Sequence, residues 1–76
     1  MKKIRIKDEY IKLEQAMKLG GAIGSGAEAK HEIQEGQVQV NGETELRRGR
    51  KLRDGDIFTY LEESWQIEAP LAEGER

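Results

Sequence analysis

Cysteine is absent from the 76 residues, so neither a disulfide framework nor a thiolate metal site can be built, and the chain suits a reducing compartment. The one histidine, His31, has no Cys or Ser partner with which to form a catalytic pair or a metal centre, and is read as a surface residue. Four aromatics, Tyr10, Phe58, Tyr60 and Trp65, are too few and too dispersed for a platform that stacks unpaired bases. Phe58 and Trp65 are assigned to the core or its rim. No apolar run approaches the roughly 18 residues that span a bilayer. The basic start Lys2-Lys3-Ile4-Arg5 is not followed by the apolar stretch of a signal peptide. The expectation is a cytoplasmic protein with no membrane partner and no cofactor.

Size narrows the reading further. Seventy-six residues make one domain that buries only about 60% of the surface its unfolded chain exposes. Such a core is too thin to enclose a small-molecule substrate, and a monomer without enzymatic activity is expected. The glycines Gly20, Gly21, Gly24 and Gly26 are not closed by Gly-Lys-Ser/Thr, so they are assigned to a helix-to-helix turn, not to a nucleotide loop.

A formal net charge of −2 and a pI near 5.4 argue, as averages, against a nucleic-acid partner. The distribution argues otherwise. Of 13 Lys and Arg, four lie in residues 1–7 and five in residues 47–53, whereas residues 54–75 hold seven acids and no base. A basic face can therefore coexist with an acidic remainder, and the face sets the potential that a phosphate feels.

The periodicities point to an α+β fold. Lys2 to Lys7 alternates charge with Ile4 and Ile6, as a strand exposed on one face does. Leu13, Ala16 and Met17 have helical spacing, ended by Gly20-Gly21, with Ile11 at the strand-to-helix corner. Ser25 and Glu28 form a capping box, which predicts a helix from Gly26 to Glu35 with Ala29 and Ile33 on one face and Gly36 at its left-handed end. Val38 and Val40 alternate with Gln37 and Gln39, and Asn41-Gly42 supplies the two positive-φ residues of a hairpin turn. Asp54-Gly55 marks another turn, and Ile57–Leu61 and Ser64–Ala69 read as strands. The predicted helix packs its Ala29–Ile33 face on a sheet carrying Val38, Val40 and Ile57. Residues 1–69 form the domain, and 70–76 a frayed tail.

A helix opening Ser25-Gly26-x-x-Ala29-Lys30, then Gly36-x-Val38-x-Val40-Asn41-Gly42, then Arg47-Arg48-Gly49-Arg50-Lys51-Leu52, resembles the S-four RNA-binding domain. This is the alpha-L module of ribosomal small-subunit protein four, and the chain is most similar to its short stand-alone bacterial members of the YaaA type. The resemblance covers Tyr10 to Tyr60. It implies two short helices on a small, mostly antiparallel sheet, and binding of structured RNA, ribosomal RNA or a ribosomal subunit, in ribosome assembly or maintenance. Many S-four domains carry Arg directly after the helix-starting Ser, where this chain has Gly26, so the contact made by that Arg is not carried over.

The candidate RNA-binding residues are Ser25, Gly26 and Lys30 at the helix start and Arg47, Arg48, Arg50, Lys51 and Arg53 in the basic run. Five bases in seven residues are denser than solubility requires, and the planar guanidinium matches phosphate. The plainer reading is a solvated loop whose charges pair with Glu43, Glu45, Asp54 and Asp56. Lys30 taken singly is an ordinary surface lysine, and the helix start gains meaning only if the basic run folds beside it. Two other readings remain open: a protein-interaction module whose basic face docks an acidic protein, and a targeting unit for a separately encoded enzyme.

Overall fold

A computed structural model of the protein describes residues 1–70; Leu71 to Arg76, most of the expected tail, lie outside the described residues. Among the described residues, seven strands and two helices follow in the order β1 (Lys2–Arg5), β2 (Tyr10–Lys12), α1 (Leu13–Leu19), α2 (Gly26–Gln34), β3 (Val38–Val40), β4 (Glu43–Thr44), β5 (Lys51–Arg53), β6 (Ile57–Tyr60) and β7 (Glu63–Glu68). Five strands form one sheet in the order β1-β7-β6-β3-β4, and β2 and β5 form a separate ribbon. Every pairing is antiparallel except that of β1 with β7. The fold is the expected α+β arrangement of two short helices and a mostly antiparallel sheet. The parallel closure of the chain's start onto its last strand was not anticipated, because nothing local in a four-residue strand names a partner some sixty positions away.

Side chains at alternate strand positions reach one core. Val38, Val40, Phe58, Tyr60, Trp65, Ile67 and Ile4 come from the sheet, Leu13, Ala16, Met17, Ala29 and Ile33 from the helices, and Leu52 from the ribbon. Phe58 and Trp65 are cross-strand neighbours whose rings stack at 5.0 Å with 8° between planes. Ile57 was expected to face inward. It is only half-buried, and Phe58 takes the core position instead. The strand period of two leaves no intermediate choice: once Phe58 and Tyr60 point in, Ile57 and Thr59 point out.

Two polar ties fix the helices on the sheet. The Trp65 indole N–H donates to the carbonyl of Gly20 at 3.1 Å, and the Tyr60 hydroxyl donates to Glu32 at 3.0 Å. Glycine at position 20 suits this close approach, since a Cβ there would lie 3.0 Å from the Trp65 ring and 2.7 Å from the end of Ile4, so both would have to shift.

The turns follow their sequence signals in one hairpin and not in the other. Asn41 and Gly42 both have positive φ (52° and 85°), and the Asn41 side chain accepts from Ile57 N–H and donates to Asp56. Between β6 and β7 the two-residue turn is Leu61-Glu62, with φ of 51° and 68°. Neither residue favours that left-handed region; the register set by Phe58 against Trp65 forces it.

Ile33→Ala is expected to cost about 2–5 kcal/mol, because Ile33 is fully buried and truncation leaves a cavity; urea unfolding reads this directly. A midpoint that barely moves would place that face outside the core. Replacing Leu61-Glu62 by Asn-Gly is expected to stabilise by about 1 kcal/mol through relief of the turn, and an unchanged or lower midpoint would show the turn to be unstrained.

Candidate nucleic-acid interface

Helix α1 has seven residues and begins without a side-chain cap on Lys12, so its first amide groups need acceptors from elsewhere. The basic run supplies them. Leu13 N–H donates to the carbonyl of Arg50 at 2.8 Å, and Glu14 N–H to that of Arg48 at 3.1 Å. Beyond this junction Leu52 enters the core, and β5 pairs with β2 in the register Tyr10–Arg53, Ile11–Leu52, Lys12–Lys51. The segment is thus partly a strand, not the solvated loop of the plainer reading. Its backbone is bound on one side, and its side chains fan outward from the other.

Those side chains divide by partner. Glu45 is buried, at 7% exposure, and accepts four bonds: from the backbone N–H, Nε and Nη2 of Arg47 at 3.0–3.1 Å, and from Nη1 of Arg50 at 2.7 Å. Arg48 lies 4.0 Å from Glu14. Lys51 and Arg53 stand over the ring of Tyr10, at 4.8 and 5.4 Å from its centroid. Of the four acids that were to neutralise the run, only Glu45 does so. Asp54 accepts from the backbone N–H of Ala69, and Asp56 from that of Arg53, so both carboxylates bind backbone and neither pairs with a side chain of the run. Glu43 makes no ion pair among the described residues.

The other basic cluster is answered by the acidic end of the chain. Lys2 pairs with Glu63, and Lys3 and Arg5 with Glu68, all across the β1–β7 pairing.

At the start of α2, Ser25 caps as expected: its hydroxyl accepts from Glu28 N–H at 3.2 Å. The reciprocal half differs, since the Glu28 carboxylate receives the Ser25 hydroxyl at 3.4 Å instead of its backbone N–H. Gly26 has open space where a Cβ would stand, and Lys30 is exposed. Among the described residues no hydrogen bond or ion pair joins Ser25, Gly26 or Lys30 to the basic run. The link runs through α1, which carries the run on its first turn and packs against α2. His31 is exposed, 3.9 Å from Glu32.

With this geometry, the sequence profile of the S4 domain matches residues 4–68, which run from β1 through β7. The chain belongs to the S4 domain family. It is 48% identical over 54 residues, 71% of this chain and 76% of the relative, to a Bacillus subtilis protein named as a probable ribosome maturation protein, RlbA. Over 63 residues, 83% of this chain and 90% of the relative, it is 38% identical to an Escherichia coli protein provisionally named as RNA-binding, YbcJ.

Four residues of this S4 domain that shape the surface escaped the sequence reading: Tyr10, Lys12, Glu14 and, as a buried acceptor, Glu45. The signal for the first two was present but short. Tyr10-Ile11-Lys12 and Lys51-Leu52-Arg53 each place one apolar residue between two polar ones, the minimum trace of a strand with one face buried.

The Arg47 hydrogen bonds, supported by Arg50, outweigh burial and hold the Glu45 carboxyl at about 2, well below its ordinary 4.5. The unfolded chain therefore binds this proton more readily. The stabilisation is complete above pH 4.5 and is lost as pH falls through about 2. Glu45→Gln is expected to cost about 1 kcal/mol at neutral pH and to flatten the fall in stability across that acid window; parallel acid slopes for the two proteins would show that the carboxylate is not so held.

Proposed function

We propose that this S4 domain binds structured RNA without catalysing a reaction, and that its target is ribosomal RNA or a ribosomal subunit during assembly or maintenance in the cytoplasm. The observation that carries the reading is the basic run, anchored through its carbonyls on the first turn of α1 and through Leu52 in the core, with Arg47, Arg48, Lys51 and Arg53 exposed. Positive charge on a rigid support gathers phosphates without paying to order a loop. The ribosomal target is supported by the name of the Bacillus subtilis relative, and RNA as partner by that of the Escherichia coli one.

The run and the start of α2 form the proposed surface: Arg47, Arg48, Arg50, Lys51 and Arg53, with Ser25, Gly26 and Lys30 offering a helix N-terminus free of bulk. Backbone and shape recognition fits the supply of aromatics, since Phe58 and Trp65 are buried and leave few rings to stack on bases.

Filter binding of purified ribosomal RNA tests the proposal. Log affinity is expected to fall linearly with log salt, by about 0.7 to 0.9 per phosphate contact, and Lys30→Ala to weaken binding modestly. Retention on ribosomal particles should be competed by free ribosomal RNA. Retention that survives complete nuclease digestion would instead identify a protein partner for the basic face.

A further inference from the structure

The β2–β5 ribbon is two-sided. Ile11 and Leu52 turn to the core, so Tyr10, Lys12, Lys51 and Arg53 share the outer face, with Lys12 directly opposite Lys51 and Tyr10 opposite Arg53. All four are exposed. Like charges facing each other across a strand pair destabilise it, and here a third cation lies two residues from one of them. Among the described residues no carboxylate comes within ion-pair distance of Lys12, Lys51 or Arg53. The ion pairs of the basic segment go to Arg47, Arg48 and Arg50 instead. Among the described residues, what faces these cations is the Tyr10 ring, with Lys51 Nζ at 4.8 Å and the Arg53 guanidinium at 5.4 Å from its centroid. The ring faces attract both cations, but they do not remove the charge.

We propose that this outer face is the principal phosphate-binding element of the domain. Lys12, Lys51 and Arg53 engage consecutive phosphates of one RNA strand, and Tyr10 acts as a positioning residue that holds Lys51 and Arg53 in place. The three cations lie within two residue steps of strand, about 7 Å, a concentration of charge that an RNA backbone offsets. The inference rests on the RNA-binding reading above and narrows it. Arg47 and Arg50 are committed to Glu45 and serve mainly to shape the segment, while Lys12, separated from the basic run by more than thirty residues of chain, joins the contact set.

The test compares two triple variants with the same loss of charge, using purified ribosomal RNA as probe. The variant with Lys12→Gln, Lys51→Gln and Arg53→Gln is expected to bind about tenfold more weakly or worse, with a salt slope flatter by about 2. Its unfolding midpoint should stay level or rise, because a repulsion has been removed. The variant with Lys3→Gln, Lys7→Gln and Lys18→Gln should lose no more than about twofold. Tyr10→Ala should weaken binding several-fold with the slope unchanged, and Tyr10→Phe, which keeps the ring, should restore it. Equal losses in the two triples, or a lowered midpoint in the first, would overturn the proposal, and full affinity in Tyr10→Ala would remove Tyr10 from it. Failure of the unaltered domain to bind ribosomal RNA would bring down the RNA reading itself, and this inference with it.

Discussion

Two hydrogen bonds, from Leu13 and Glu14 N–H to the carbonyls of Arg50 and Arg48, decide how the rest of the molecule presents itself. A seven-residue helix is too short to stand alone in water, and α1 starts without a capping side chain. Its first amides find acceptors only because residues 47–50 lie across them. The same bonds fix the backbone of the basic run at Arg48 and Arg50, so that its side chains are presented from a held support. Helix initiation and display of the arginines are one event.

Charge is sorted by this arrangement in three ways. Where a carboxylate is buried, at Glu45, two arginines satisfy it. Where β1 pairs with β7, Lys2, Lys3 and Arg5 meet Glu63 and Glu68. On the β2–β5 ribbon cations gather with no carboxylate within ion-pair distance among the described residues, two of them over Tyr10. A chain with net charge −2 can thus offer a positive surface to RNA, since Glu45 is enclosed by two arginines and Glu63 and Glu68 pair with the cations of β1.

Local chemistry was enough to determine much of this protein from its sequence: the Ser25 cap, the left-handed Gly36, the Asn41-Gly42 hairpin and the alternation of Val38 with Val40 all act within a few residues. The density of bases between Arg47 and Arg53 and the resemblance of the 25–52 stretch to the S-four domain were equally legible. What tertiary structure alone decided depends on partners far apart in the chain. The parallel docking of β1 on β7, the choice of Phe58 over Ile57 for the core, and the forced turn at Leu61-Glu62 follow from sheet register, which no short window contains. So does the meeting of Tyr10 and Lys12 with Lys51 and Arg53: each half is a three-residue strand too brief to declare itself, and their pairing becomes favourable only when Ile11 and Leu52 can be buried together on the same core.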